Sequence, residues 1–206
     1  MSAPGVLLLP GWGTGPELLA PLAPRSAAGV VSPRWDAARS ADALAPLALE
    51  AAAGAPGDGL VVVAWSLGAM VALEALPALA GRVRALLLVA PCLSFTAGWP
   101  RRVLERMRRR CADDPAATLA AFAGALLAPG EAGPPLIRAR ADQPVAALQA
   151  GLDYLATRAL APPAAPPGCA VRVIHGGAVE KMNSRARFRS HSTASASPQA
   201  TAPWLA

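Results

Sequence analysis

Short runs of apolar residues recur along most of the chain and are separated by segments with helical spacing. The run at 60–64 reads LVVVA and shows no alternation of apolar and polar positions, which is typical of a strand buried on both faces of a parallel sheet. Five such runs are predicted as strands: Val6–Leu9, Gly29–Val31, Leu60–Ala64, Ala85–Val89 and Val171–Ile174. Because these strands alternate with helices, the pattern predicts an α/β protein with a mainly parallel sheet.

Helical spacing predicts two helices between these strands and three more in a block after residue 94. The first two are expected at 41–53, with an awkward proline at position 46, and at 67–80. The block contains predicted helices at Arg101–Cys111, Pro115–Leu127 and Val145–Arg158. No strand signal occurs within the block, so we expect it to form a helical lid inserted over one end of the sheet.

These patterns divide the chain into a core, an insertion and a tail. We expect residues 1–94 to form the first part of the core, 95–160 the helical lid, and 161–178 a core strand preceded by the stiff connector APPAAPPG. Residues 179–206 contain five serines, against six in the preceding 178 residues, and lack periodicity, which predicts a disordered, atypical tail. A slipped reading frame is one hypothesis for this tail, and the last strand and helix of the sheet are then expected to be missing.

Composition narrows the classes of function. Of the 206 residues 54% are hydrophobic, which is enough for the core of one domain. The three cysteines, Cys92, Cys111 and Cys169, follow no metal-ligand spacing and indicate reduced thiols of a cytoplasmic protein, with no metal or cofactor expected. The N-terminus has no basic start and only a very short apolar run, so we expect no signal peptide.

Charge and hydropathy bear on the partners. The net charge of +6 favours an acidic protein or a small anionic partner over nucleic acid, because aromatic residues are few and no nucleic-acid-binding motif occurs. Residues 59–80 carry one charge, Glu74, and are long enough to cross a bilayer. The strand-like VVVA and the interruptions at Ser66, Gly68 and Pro77 favour a buried strand followed by a helix, so no membrane partner is expected.

The junction between the strand at 60–64 and the next helix carries the clearest chemistry. It reads AWSLG, with small residues two positions before and two positions after Ser66, namely Ala64 and Gly68. Small residues at those positions let a strand fold back sharply against a helix, which exposes the serine at the turn as a nucleophile. The alternative is a serine that only caps the helix, which is a common arrangement.

A second motif, LPGWG, follows the first predicted strand. Its two glycines allow the backbone to approach a substrate closely. We expect the backbone N–H groups of Trp12 and Leu67, with Gly11 beside Trp12, to bind the oxyanion that forms when Ser66 attacks a carbonyl carbon. The alternative is an ordinary glycine turn.

The chain resembles an α/β-hydrolase over residues 5–178, on the segments LLLPGWG, AWSLGAMVALEAL, RVRALLLVAPCLSF, GLDYLATRAL and VRVIHGG, in this order. The W-S-L-G elbow, the F-x-x-x-W-P stretch and G-L-D-Y-L are more narrowly similar to the pimeloyl-[acyl-carrier-protein] methyl ester esterases of biotin synthesis. This resemblance implies a serine carboxylesterase that cleaves the methyl ester of a pimeloyl chain carried on acyl carrier protein.

The first lid helix adds an argument for that partner. Its sequence RRVLERMRRR places Arg102, Arg106 and Arg109 on one face at helical spacing. An acyl carrier protein is small and strongly acidic, so a basic face beside the pocket is expected to orient it. The alternative is a solvated basic helix without a partner.

The base and the acid that a serine nucleophile needs do not follow the expected pattern. The resemblance implies H-G-x-x-D after the last core strand, but His175–Ala178 is followed by Val179, and Glu180 comes one residue late. It also implies a histidine in a downstream G-H-x-P-F-like loop, for which the candidate is His191 in RSHSTAS.

The sequence is therefore compatible with three hypotheses of function. The first is an active esterase in which Ser66 works with Glu180 and His191, and the second is a truncated or frame-shifted, catalytically impaired hydrolase. The third is a non-enzymatic module that binds a carrier protein through the basic lid face. Among hydrolases, a general small-ester esterase or a lactonase is the alternative.

Overall fold

The computed structural model describes residues 3–125, 142–175 and 178–182, with His175 and 178–182 described as backbone. The strands of this part are β1 (Gly5–Leu9), β2 (Gly29–Val31), β3 (Leu60–Trp65), β4 (Val83–Val89), β5 (Ala170–His175) and β6 (Ala178–Met182). They form one sheet in the order β2-β1-β3-β4-β5-β6. Strands β1 to β5 pair in parallel and β6 pairs antiparallel with β5, which confirms the predicted α/β class with a mainly parallel sheet.

The α-helices of the described ranges are α1 (Leu44–Ala53), α2 (Leu67–Leu79), α3 (Arg101–Asp113), α4 (Pro115–Ala125) and α5 (Val145–Thr157). The two ends of each helix lie at most three residues from the ends of a predicted helix. The awkward Pro46 lies in the first turn of α1, where a backbone N–H has no acceptor within the helix, so the proline removes no helical hydrogen bond.

The sheet separates two buried clusters because successive residues of a strand point to opposite faces. The larger cluster joins Leu7 and Leu9 of β1 and Val62 of β3 to helices α1 and α2 and to the lid. The smaller cluster lies on the other face and contains Val6, Leu8, Leu19 and Val63. The larger cluster therefore connects the core helices to the lid on one face of the sheet.

Helices α3, α4 and α5 belong to the insertion between β4 and β5. An isolated antiparallel bridge between Ser94 and Ala159 joins the two ends of the insertion, and Leu160 N–H donates to Leu93 O at 2.7 Å beside it. Helix α3 packs against both α4 and α5. The insertion thus leaves and rejoins the core at one point, and the predicted domain boundaries stay predictions.

Strand β6 lies where we expected no regular structure. Residues 179–182 of the predicted atypical tail belong to it, whereas the rest of that segment, 183–206, lies outside the described residues. His175 of β5 pairs with Ala178 of β6, and the sequence between them is Gly-Gly, a pair common between antiparallel neighbouring strands. The expectation that the chain after 179 adds no strand is therefore wrong for 179–182.

The apolar stretch 59–80 forms β3 and α2 rather than one long helix. Over the described ranges, every helix is too short or too polar to span a lipid bilayer.

Candidate active site

The loops that carry the predicted site residues leave the sheet at one edge. Leu9 of β1 pairs with Ala64 of β3, and Trp65 of β3 pairs with Val89 of β4. Because these strands are parallel, their carboxyl ends lie side by side and the loops that follow them meet. Open α/β sheets bind ligands at this edge.

Ser66 follows β3 at the N-cap position of α2. Its backbone has φ +52° and ψ −114°, a conformation that a residue with a side chain rarely adopts and that costs about 1–3 kcal/mol. Its side chain makes no capping hydrogen bond, although capping is the usual role of a serine at this position. Ser66 is also partly exposed. These observations argue against the alternative of a serine that serves as a helix cap.

Backbone hydrogen bonds hold the turn at Ser66. Its N–H donates to Val89 O at 3.0 Å, and its carbonyl oxygen accepts from Met70 N–H at 3.1 Å. Ala90, the first residue after the neighbouring strand β4, has φ +47° and donates its N–H to Ile174 O at 2.7 Å. Two strained residues thus lie at the ends of adjacent strands, and the peptide between Val89 and Ala90 bonds to the strand ends on both sides.

Gly68 and Ala64 meet the steric demand of the turn. A Cβ at Gly68 would overlap the carbonyl oxygen of Leu9 and would lie 2.7 Å from Pro10 O. These are backbone atoms that cannot swing away, so α2 begins this close to the end of β1 because position 68 has no side chain. Ala64 is fully buried, which leaves little space for a larger residue.

The first turn of α2 presents backbone donors that have no acceptor within the helix. Met70 N–H is the first donor that bonds back into this turn, so the N–H groups of Leu67, Gly68 and Ala69 precede the helical hydrogen-bond pattern. The same end of the helix carries its positive partial charge. Together they form an environment that stabilises a negative charge on an oxygen beside Ser66.

The Pro10–Thr14 loop follows β1 and passes the start of α2. The N–H and the hydroxyl of Thr14 both donate to Gly11 O, at 3.3 and 2.9 Å respectively. Gly13, which lies between these two residues in the sequence, has φ +69°. Gly11 lies against the Trp65 ring, since a Cβ there would be 2.8 Å from Cε3 of that ring. The loop is therefore a fixed turn, and its glycines at 11 and 13 are required by close contacts and by backbone conformation.

Trp12 and Leu67, the predicted pair of oxyanion donors, border the same residue of the lid. A Cβ at Gly151 of α5 would lie 2.6 Å from Cδ1 of Trp12 and 3.3 Å from Cδ2 of Leu67. Neither backbone N–H donates to a carbonyl oxygen of the described residues. Both amides are thus without a backbone acceptor in the described part of the chain.

Aromatic rings connect the Pro10–Thr14 loop to the lid. Trp12 meets Phe122 of α4 edge to face, with ring centroids 5.0 Å apart, and Phe122 meets Trp99 at 6.2 Å. Phe95 continues the series at 5.5 Å from Trp99. The rings form a row of apolar contacts that begins at the loop and extends into the lid, with Trp12 and Phe122 buried.

The structure describes the backbone of the candidate acid, Glu180, but not its side chain. Glu180 lies within β6 opposite Val173, and this register row continues through Leu88 to Ala64. The backbone of Glu180 is therefore three strand spacings, about 14 Å, from that of Ala64. The candidate base, His191, lies outside the described residues.

The cysteines offer no competing nucleophile. Burial raises the pKa of the Cys92 thiol to about 11, and burial also raises the pKa values of Cys111 and Cys169. All three are free thiols, and a protonated thiol is a poor nucleophile. Within the described ranges, no group of three or more His, Cys, Asp or Glu residues is arranged to hold a metal ion.

The predicted docking residues lie on α3. Arg102 and Arg109 are exposed and Arg106 is partly exposed. Arg108, in contrast, pairs with Asp153 of α5 at 2.8 Å. Arg108 thus ties α3 to α5, whereas Arg102 and Arg109 face outward.

Sequence reasoning missed Gly151 and Ala90 as residues that shape this site. Gly151 is a glycine inside a helical pattern, a position where glycine is unfavourable and often has a packing reason, so a signal was present. Ala90 carries no such signal, since alanine rarely adopts a positive φ.

Residues 6–204 match the family model described as "Alpha/beta hydrolase family". The matched range covers nearly the whole chain, including the segment from 179 that we expected to depart from the family pattern. No curated protein matches the chain.

Proposed function

Because the chain belongs to the alpha/beta hydrolase family, we propose that it hydrolyses carboxylic esters with Ser66 as the nucleophile. Membership of the family supports a hydrolase of a general kind. The observation that carries the finer proposal is the backbone of Ser66, which is strained at φ +52° and leaves the hydroxyl outside any capping hydrogen bond. Strain of this kind is retained where a reacting group must be presented at a turn.

In the proposed reaction, Ser66 Oγ attacks the ester carbonyl carbon while a base takes the hydroxyl proton. The oxyanion accepts hydrogen bonds from the N–H groups of Trp12 and Leu67, with Gly11 leaving space beside Trp12. The tetrahedral intermediate expels the alcohol, which receives the proton, and water then releases the acid from the acyl-enzyme. His191 is proposed as the base and Glu180 as the acid that orients it.

The proposed substrate is the methyl ester of a pimeloyl chain on acyl carrier protein, an intermediate of biotin precursor synthesis in the cytoplasm. Two features support this choice. The row of rings from Trp12 through Phe122 to Trp99 gives the lid an apolar interior beside the loop, and only Trp99 of the three is partly exposed to contact the methylene groups of an acyl chain. The outward face of α3, with Arg102, Arg106 and Arg109, suits an acidic carrier protein.

Reaction with a fluorophosphonate probe tests the nucleophile. We expect covalent labelling of the parent protein and none of Ser66→Ala, together with hydrolysis of p-nitrophenyl butyrate that Ser66→Ala abolishes. The carrier-protein methyl ester should then be a better substrate than the free pimelate methyl ester, because docking adds binding energy. Equal labelling of the parent and Ser66→Ala contradicts the proposal.

A catalytically impaired hydrolase is the second candidate, and the position of Glu180 favours it. An acid located within a strand, rather than in the turn after it, is poorly placed to orient a histidine. Impairment predicts that Glu180→Gln and His191→Ala leave a low rate of hydrolysis unchanged, since an oxyanion site alone retains about 10³–10⁴-fold catalysis over water. A loss of more than about tenfold in either variant supports the active esterase.

A further inference from the structure

A hydrogen bond joins the lid directly to the Pro10–Thr14 loop, which would bind the oxyanion. The indole Nε1–H of Trp12 donates to Leu148 O of α5 at 2.8 Å, across 136 positions of sequence. Trp12 is 3% exposed, so this hydrogen bond is shielded from water. A buried donor of this kind is costly to leave unpaired. The indole and α5 are therefore held together.

Gly151 is what allows α5 to come so close. It lies one helical turn after Leu148, and a Cβ at this position would be 2.6 Å from Cδ1 of the Trp12 ring. The same Cβ would be 3.3 Å from Cδ2 of Leu67. A glycine inside a helix costs roughly 1 kcal/mol relative to alanine, so its presence here is explained by this contact. Gly151 touches both residues whose N–H groups are proposed to bind the oxyanion.

Helix α4 contacts the same loop. A Cβ at Gly13 would overlap the Leu119 side chain, and the Phe122 ring packs edge to face on Trp12. Gln143, just before α5, donates from Nε2 to Thr14 O at 3.4 Å. The Pro10–Thr14 loop is thus packed between the core and two lid helices.

We propose that Gly151 is a positioning residue, which seats α5 against Trp12 and thereby sets the direction of the Trp12 backbone N–H. This inference rests on the proposed function, because the direction of that amide matters only if it binds an oxyanion. The oxyanion is present in the transition state and absent from the bound ester. Displacing the amide should therefore lower kcat and leave KM unchanged.

The test compares two glycine-to-alanine changes in lid helices. Gly151→Ala pushes a methyl group into Trp12. Gly124→Ala in α4 adds one where no heavy atom of the described residues, apart from its chain neighbours and its own helix backbone, lies within 4 Å. With p-nitrophenyl butyrate, we expect kcat of Gly151→Ala to fall about tenfold at unchanged KM, since removing an oxyanion donor outright costs about 10²–10³. Gly124→Ala should keep the parental kcat and KM.

Two further measurements separate positioning from a general loss of structure. In protein with isotope-labelled tryptophan, the indole N–H of Trp12 should exchange with deuterium faster in Gly151→Ala than in Gly124→Ala. In a Trp12→Ala background, which removes the ring and keeps the backbone N–H, Gly151→Ala should lower kcat by a smaller factor than in the parent, because the methyl group then meets only the end of the Leu67 side chain.

The outcomes distinguish the two proposals. If labelling depends on Ser66 but Gly151→Ala and Gly124→Ala have equal kcat, the positioning role is overturned and the nucleophile stands. Additive effects of Trp12→Ala and Gly151→Ala also overturn the positioning role. If Ser66→Ala keeps the turnover of the parent protein, or the parent shows none, the proposed function is overturned and the positioning role with it.

Discussion

The hydroxyl of Tyr154 in α5 donates a 2.7 Å hydrogen bond to Oε2 of Glu74 in α2. Tyr154 is fully buried, and burial followed by this hydrogen bond raises its pKa well above the ordinary value. Oε1 of Glu74 also lies 3.6 Å from Nε of Arg158. The single charge of the apolar stretch 59–80 therefore joins a core helix to the lid through polar contacts.

Removing the Tyr154 hydroxyl should destabilise the protein. We expect Tyr154→Phe to lower the free energy of unfolding by about 1.5–3 kcal/mol, the range for hydrogen bonds to charged groups. Denaturant unfolding measures the change. In the double variant with Glu74→Gln the loss should be smaller than the sum of the single losses, because the two side chains share one bond. Simple additivity would contradict the coupling.

Gly68→Ala should disrupt the turn at Ser66. The added methyl group would meet the carbonyl oxygens of Leu9 and Pro10, so α2 must shift away from β1. We expect a loss of activity greater than that of Gly124→Ala, with a lower midpoint of thermal unfolding. Equal behaviour of the two variants would show that the turn has more space than the contacts at Gly68 allow.

Ser66→Gly should be more stable than Ser66→Ala, although both lack the hydroxyl. Glycine adopts φ +52° without the strain that alanine keeps, and the relief outweighs the backbone entropy of glycine by about 1 kcal/mol. Differential scanning calorimetry of the two variants gives the comparison. A more stable alanine variant would mean that position 66 is not strained.

Cys92 should react slowly with iodoacetamide near neutral pH and faster as the pH rises toward 11, because burial raises the pKa of its thiol from 9.0 to about 11. The folded chain then holds this proton to a higher pH than the unfolded chain. The contribution to the free energy of unfolding is complete below pH 9 and is lost as the pH rises through 11. Cys92→Ala should reduce this alkaline loss, and an identical pH profile in that variant would contradict it.

Reversal of the outward arginines should weaken binding of an acidic carrier protein. We expect Arg102→Glu with Arg109→Glu to raise Kd at least about tenfold at low salt, because like charges then face each other. Arg25→Glu, an exposed arginine outside the lid, is the control and should have little effect. Calorimetric titration at two salt concentrations measures Kd for the double variant and for the control variant. The docking proposal is wrong if Kd changes neither with salt concentration nor in the variant with Arg102→Glu and Arg109→Glu.

The core elements could be predicted because each carries a local signal. The run at 60–64 is apolar at every position, and β3 extends it by one residue to Trp65. The helix predicted at 67–80 ends at Leu79. Strand β4 begins at Val83, two residues before the predicted start, because Arg84 interrupts the apolar pattern. Arg84 lies at a shift in register with β3, where Val83 pairs with Leu60 and Ala85 pairs with Val61.

The contacts around the site could not be predicted, because they join distant parts of the chain. No local pattern relates Trp12 to Leu148 or Gly13 to Leu119, since these pairs meet only after the insertion folds over the sheet. The backbone conformation of Ser66 was implied by small residues at two fixed offsets, whereas the positive φ of Ala90 has no counterpart in the sequence.

The packing of the Pro10–Thr14 loop between the core and the lid has a consequence for protein engineering. Leu119, Phe122 and Gly151 touch the loop itself, so under the proposed function they are poor positions to randomise for a new acyl group. We expect libraries built there to alter turnover together with selectivity. Substitutions that retune selectivity alone are better sought at Phe95, which reaches Trp12 only through two intervening rings.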